Sequence, residues 1–255
     1  MTPLLEAKGI SKRFGGVQAL KEVSLSIAAG EIYGLIGPNG AGKTSFFNVL
    51  TGLYRADTGA FQFAGKALDT RAPHLVAAAG ISRTFQNIRL FANMTALENV
   101  MVGRHIRSRA GVIGAVLRDA ATRREEAAIA RRAHELLAYV GIAERGNDLA
   151  SQLAYGDQRR LEIARALAGE PKLLALDEPA AGMNAVETAA LRRLIVALRN
   201  DGLTVLLIEH DVKLVLGLCD RVAVLDYGEL IAEDEPEVVR RDPRVVEAYL
   251  GASYA

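Results

Sequence analysis

Hydrophobic and polar positions change rhythm twice along the chain. In the first third, short apolar runs alternate with glycines. LLEAKGI, VSLSI, EIYGLIG and GAFQFAG read as strands, with Gly30, Gly34, Gly37, Gly59 and Gly65 marking hairpins and strand ends. The run IYGLIG has the look of a buried strand, and a glycine-rich turn and the helix candidate TSFFNVLTGL follow it directly. From about Asn99 to Val140 the strand signals vanish. Ile129, Ala133, Leu136, Leu137 and Val140 recur there at helical spacing, with charges opposite. The cluster Arg123, Arg124, Arg131 and Arg132, interleaved with Glu125 and Glu126, reads as a solvated helix face.

The last part alternates again. KLLALDE is a short strand, residues 186–200 form a helix with Leu191, Leu194, Ile195 and Leu198 on one face, and Gly202 stops it. TVLLIEH is the next strand, LVLGLCD a helical piece, and RVAVLDYGEL a strand and turn. Strands alternating with helices predict an α/β fold with a parallel sheet covered on both faces. A small antiparallel lobe precedes it, and a helical lobe is inserted near residues 87–158.

Composition narrows the function class. The 255 residues suit one large domain, or one domain with an inserted lobe. Lys plus Arg number 31 and Asp plus Glu 30, which argues against a dedicated nucleic-acid binder. Cys219 is the only cysteine, so neither an intrachain disulfide nor a multi-cysteine metal site is available, and it is expected as a small buried residue. The chain has no apolar run long enough for a membrane span, and its start lacks the basic-then-apolar order of a secretory signal. A soluble chain is expected, with any membrane role supplied through partners.

The chemistry concentrates at two places. GPNGAGKT, residues 37–44, follows the pattern of a glycine, four residues, Gly-Lys and a hydroxyl residue. A backbone that wraps phosphates with its N–H groups needs glycine where a side chain would block the approach. The helix that begins there aims its unpaired N–H groups at the anion. ATP or GTP binding follows, with Lys43 on the β- and γ-phosphates and the Thr44 hydroxyl on magnesium. The second place is LLALDE, an apolar strand ending in two carboxylates. Side chains alternate along a strand, so the two are expected to differ in role: Asp177 as magnesium partner, Glu178 as the group that polarises the attacking water. His210 ends the next strand and is expected in the same crevice.

In order along the chain, the phosphate loop, Gln86, LAYGDQRR, LLALDEP and His210 resemble the nucleotide-binding subunits of ABC transporters. The resemblance covers nearly the whole chain. It implies a P-loop NTPase core with the β lobe over 1–86 and 159–240, a helical subdomain over 87–158 ending in the signature, and a tail over 241–255 that is expected to be a docked helix. Two such domains close head to tail on two ATP molecules. Each nucleotide would contact Gly37, Pro38, Asn39, Gly40, Ala41, Gly42, Lys43, Thr44 and Ser45 of one subunit. The signature of the other subunit, here with Ala154, Tyr155, Gly156 and Asp157, would complete the site in trans. Phe14 stands where the family stacks an aromatic on adenine, and Gln86 where a glutamine reaches the magnesium site and leads into the helical lobe. Glu178, His210, Lys43 and Gln86 are thus implied in catalysis, and Thr44, Gln86 and Asp177 in magnesium binding.

Two departures stand out. Ala154, Tyr155 and Asp157 replace residues of the usual Leu-Ser-Gly-Gly-Gln, and Asp157 is expected to cap the following helix. Asn184 stands where many relatives have Asp.

RTFQNIRLF, DEPAAGMN and the tail DPRVVEAYLG are similar to the branched-chain amino-acid subfamily. This implies an ATPase paired with a second, identical or related ATPase beneath two membrane permeases, served indirectly by a periplasmic binding protein. The chain would be cytoplasmic, peripheral on the inner face of the membrane, and without a nucleic-acid partner. Urea or amide importers, a soluble ABC ATPase acting on nucleic acid or ribosomes, and a scaffold without turnover remain as alternative readings.

Overall fold

The structure, a computed structural model, describes residues 3–107 and 120–251. The stretch 108–119 of the expected helical lobe and the last four residues of the expected tail lie outside the described residues.

Among the described residues, ten strands form two sheets. The strands are β1 (Leu5–Phe14), β2 (Val17–Ile27), β3 (Ile32–Ile36), β4 (Thr58–Phe63), β5 (Lys66–Ala67), β6 (Ile81–Arg83), β7 (Leu173–Asp177), β8 (Thr204–Ile208), β9 (Arg221–Asp226) and β10 (Glu229–Asp234). The first sheet has the order β2-β1-β4-β5 and is antiparallel throughout. The second has the order β10-β9-β3-β8-β7-β6, parallel except for the edge strand β10. Both the small antiparallel lobe and the parallel core are therefore present.

The described helices are α1 (Lys43–Leu50), α2 (Pro73–Ala79), α3 (Ala96–Gly103), α4 (Ala120–Tyr139), α5 (Tyr155–Leu167), α6 (Ala185–Asn200), α7 (Val212–Leu216), α8 (Pro236–Val239) and α9 (Pro243–Gly251). Among the described residues, no helix is long and apolar enough to cross a membrane.

The chain divides into two compact units. One comprises the described residues up to Arg83, Lys172–Ala180 and those from Arg192 onward, and holds both sheets. The other comprises the described residues of Thr84–Pro171 together with Ala181–Leu191.

In the first unit every residue of β3, β7 and β8 is buried, as a central strand of a two-sided parallel sheet requires. Alternation splits these side chains. Leu35, Leu206, Ile208, Leu173 and Ala175 join one core with Phe46 and Phe47 of α1 and with Leu5, Ile10, Phe61 and Phe63 of the antiparallel lobe. Gly34 points the other way, and a Cβ there would come within 2.7 Å of Val215 and 2.9 Å of Cys219. This glycine therefore lies inside a strand because α7 crosses it closely, and not at a strand end as the sequence pattern suggested. Cys219 is buried, and burial pushes its thiol well above the ordinary range.

In the second unit, Ala133, Leu136 and Leu137 of α4 and Val140 just after it carry the expected buried stripe, with Ile129 half-buried. Arg123, Arg124 and Arg131 are exposed, and Arg132 pairs with Glu135 at 2.9 Å, as a solvated face would.

Candidate functional site

The phosphate loop occupies the turn from β3 into α1. Its conformation depends on glycine at Gly42, with φ +102°, where a Cβ would lie 2.5 Å from the Ala19 carbonyl oxygen. At Gly37 a Cβ would come within 2.1 Å of the Leu225 carbonyl oxygen of β9. Lys43 is 7% exposed, and its Nζ donates to the Gly37 and Pro38 carbonyls at 2.6 and 2.9 Å. These bonds hold the ammonium inside the loop. Burial lowers the Lys43 pKa, and the nearby Glu178 charge opposes that shift.

Sheet register brings the other groups to the same end. Leu35 of β3 pairs with Ile208 of β8, and Ile208 pairs with Asp177 of β7. The loop after β3, Glu178 after β7 and His210 after β8 therefore leave the same carboxyl edge. A cavity of about 380 Å³ is lined by the loop from Asn39 to Ser45, by Glu178, by Val17 and Gln18 of β2, and by Tyr227.

Asp177 and Glu178 do diverge, but alternation along the strand is not the cause. β7 ends at Asp177, and Glu178 has φ +46°, a left-handed conformation that non-glycine residues seldom adopt. Its amide still donates to the Ile208 carbonyl at 2.9 Å, so the backbone is held while the carboxylate is turned out of the strand direction. His210 likewise stands two residues beyond the end of β8. Its Nδ1 lies 3.6 Å from Glu178 Oε2 and 3.9 Å from Glu209 Oε2.

Phe14 is 40% exposed at the end of β1 and meets the Tyr54 ring edge-on at 5.1 Å, so it is no core residue. The end of α9 also approaches the loop. Tyr249 lines a cavity with Gly37–Ala41 and His210. Burial pushes its hydroxyl up to about 12, and its hydrogen bond with the Gly37 backbone pulls it down.

Two residues of the first unit had not been singled out. Arg83 spans three elements: its Nη1 donates to Asn48 Oδ1 at 2.9 Å and Thr51 Oγ1 at 2.6 Å, and its Nη2 to Asp177 Oδ2 at 3.2 Å. The guanidinium also lies over the Phe47 ring, 4.4 Å from its centroid. Glu209 is 1% exposed and accepts the Ala180 amide at 2.9 Å, fixing the backbone just after Glu178. Burial raises its pKa, with that backbone bond opposing. The carboxylate in TVLLIEH was the available signal, since it sits between an apolar strand and the expected histidine.

The donor set fits magnesium. Thr44 and Asp177 offer a hydroxyl and a carboxylate, the hard oxygen ligands this ion prefers alongside substrate phosphates. Among the described residues there is no cluster of three or more His, Cys, Asp or Glu arranged for a softer or fully protein-bound metal.

The second unit carries the remaining expected residues. Ala154 is the N-cap of α5 without a side-chain cap bond. Asp157 was expected to cap this helix; instead it lies in the first turn and pairs with Arg160 at 3.5 Å. A cap must precede the first turn, and the chain enters the helix three residues earlier than that expectation required, with Ala154 at the cap position. Gly156 packs against Glu187, whose Oε1 would lie 2.7 Å from an added Cβ. Asn184 Oδ1 accepts the amides of Val186 and Glu187 at 2.9 and 3.0 Å, and its own amide donates to Glu187 Oε2 at 2.9 Å. It is thus a capping-box residue for α6, a task Asn performs as well as Asp.

Gln86 is exposed in the bend after β6. The main chain around it is gripped by a charged face of α5. Arg159 donates to the Phe85 and Gln86 carbonyls, Glu162 accepts the Phe85 amide at 3.2 Å, and Arg165 donates to the Arg89 carbonyl. These three stand at spacings of three residues, one helical side.

The family model for ABC transporters matches residues 20–181, and one for branched-chain amino acid ATP-binding cassette transporters matches residues 229–255. The high-affinity branched-chain amino acid transport ATP-binding protein LivG of Salmonella typhimurium is 46% identical over 98% of both chains. The ADP conformation of MJ1267, an ATP-binding cassette of an ABC transporter, superposes with a TM-score of 0.85 at 33% identity, covering 98% of this chain and 100% of that one. A dimeric post-hydrolysis state of the cassette MJ0796 with ADP and Pi gives 0.76 at 27% identity, over 91% and 98%. With its nucleotide loop and paired carboxylates on one sheet edge, and with likeness of this extent, the chain belongs to the ABC transporter family as an ATP-binding subunit.

Proposed function

We propose that this chain is the ATP-hydrolysing subunit of an importer for branched-chain amino acids, working through partner permeases. The observation that carries the hydrolytic reading is Glu178, turned by a positive φ into the cavity that the phosphate loop lines. Likeness to LivG over nearly the whole chain, and the match of residues 229–255 to the branched-chain model, favour this substrate class. They favour it over urea or amide import and over a soluble ATPase acting on nucleic acid.

In this reading the loop amides and Lys43 bind the triphosphate, and Lys43 exchanges its two carbonyl partners for phosphate oxygens. Phe14, on the exposed edge of the lobe, stacks on adenine. Magnesium, which Thr44 and Asp177 would hold, would neutralise charge on the β- and γ-phosphates. Glu178 orients and polarises the attacking water, and His210 contributes from beside it. Residues 154–157 meet the nucleotide of a second ATPase, identical or related, as in a head-to-tail dimer. The assembly sits on the inner face of the membrane beneath two permeases, with a periplasmic binding protein delivering the amino acid.

Purification of the tagged chain from native membranes should bring down two permease subunits, and uptake of labelled leucine, isoleucine and valine should fall to background in a Glu178→Gln strain. Retained uptake of all three, with loss of a different solute, would overturn the substrate. Recovery with RNA and without permeases would overturn transport.

A further inference from the structure

Tyr155 replaces a glycine of the usual signature with a large side chain, and the second unit uses that side chain fully. Its hydroxyl donates to the Ala181 carbonyl at 2.8 Å and accepts from Arg159 Nε at 3.2 Å and Nη2 at 2.9 Å. One donor and two acceptor positions are all a phenol has, and each is in use. One edge of the ring packs on Gly182, while the residue as a whole stays 42% exposed. Gly182 has φ +76°, and a Cβ there would lie 3.3 Å from Tyr155 Cε1.

Arg159 extends the contact. It is 3% exposed, so its guanidinium needs partners on every side. It finds them in Tyr155, in Glu162 Oε2 at 3.4 Å, in the Phe85 carbonyl at 2.7 Å and in the Gln86 carbonyl. Two side chains one helical turn apart therefore join three segments distant in sequence: the start of α5, the stretch around Gln86 and the stretch from Ala181 to Asn184. Gly156 against Glu187 is a further close contact between the starts of α5 and α6.

We propose that Tyr155 and Arg159 are positioning residues that make these three segments move as one body. A shift at Gln86 is then transmitted within the subunit to the signature and to the segment after Glu178. The functional meaning rests on reading residues 153–158 as the signature; the mechanical linkage does not. The linkage runs through main-chain carbonyls, so it depends on the phenol and the guanidinium and not on the Gln86 side chain. In this chain the signature glycine has been exchanged for a tether.

Hydrogen exchange on the full chain, without nucleotide, tests the linkage directly. Tyr155→Phe keeps the ring and removes three hydrogen bonds, two of them from the charged Arg159 guanidinium. Exchange should rise roughly ten-fold both in residues 85–89 and in residues 181–187, with β3 as the unchanged reference. Arg159→Lys, which keeps the charge but loses the fork, should raise exchange in the same two segments. Combining the two substitutions should add little to either alone. A rise confined to residues 153–158, or to only one of the distant segments, would overturn the proposal, as would independent and multiplicative effects of the two substitutions. Failure of the importer reading would show as unaltered amino-acid uptake in the Glu178→Gln strain, a result this exchange pattern does not depend on.

Discussion

Arg83 and Asp177 form a buried ion pair at 3.2 Å, with side chains 10% and 6% exposed. The same guanidinium holds Asn48 of α1 and Thr51 at its C-terminal cap, so one cation links the helix after the loop to the carboxylate expected to face magnesium. Removing the cation from beside a buried carboxylate is costly. Arg83→Met should lower unfolding free energy by about 3 kcal/mol, read by urea denaturation at pH 7. Arg83→Lys should lose less, yet still weaken Mn²⁺ binding measured by electron paramagnetic resonance with ATP present. Wild-type stability in the Met variant would show that the pair contributes nothing.

Glu178→Gln preserves shape and removes the charge proposed to polarise water. Phosphate release should fall by roughly 100-fold or more, while ATP binding persists. An unchanged rate would remove Glu178 from the catalytic role.

Lys43→Ala deletes the ammonium that the loop carbonyls hold in place. ATP affinity should drop at least about 10-fold, since hydrogen bonds from a charged donor are among the stronger ones. Isothermal titration showing wild-type affinity would contradict this placement.

Glu209 gives a pH-dependent signature. Its folded pKa is raised by burial above the ordinary carboxylate value, so the folded state favours the protonated acid. Its contribution to stability is fully present below the unfolded value of about 4.5 and is lost as pH rises through the folded value. Glu209→Gln keeps an acceptor for the Ala180 amide and removes the titration. The variant should therefore lose less stability than the wild type between the ordinary carboxylate range and neutrality. Parallel stability curves for the two proteins would refute the assignment.

Asn184 caps α6 through two amides. Asn184→Ala should cost about 1 kcal/mol, and Asn184→Asp close to nothing, measured by thermal unfolding. Equal losses for both would mean that the side chain serves something other than the cap.

Much of the fold was legible because its signals are local. The glycines of the phosphate loop, the apolar strand before it and the helix after it are neighbours in the chain, and their spacing alone specifies the turn. The stripe on α4 was equally readable from its period. The helix cap failed for a reason of the same scale: Asp157 has the right chemistry, but α5 begins before it.

The role of some charged residues is hidden in the sequence because burial decides it. Arg159, Glu162 and Arg165 look in sequence like any solvated helix side, yet they hold the backbone around Gln86. Tyr155 reads in sequence only as a departure from the usual signature, and in the structure it is a junction.

By itself, then, the sequence determined where the phosphate-loop turn lies and which two carboxylates end a neighbouring strand, because a glycine-rich turn and a strand end are written in consecutive residues. Only the tertiary structure decided that Arg83 meets Asp177 across 94 positions, that Glu178 leaves its strand through a left-handed turn, and that Tyr155 reaches Ala181. Those contacts depend on which side of each element is buried and on how strands lie in register, and neither is fixed until the sheet and helices pack.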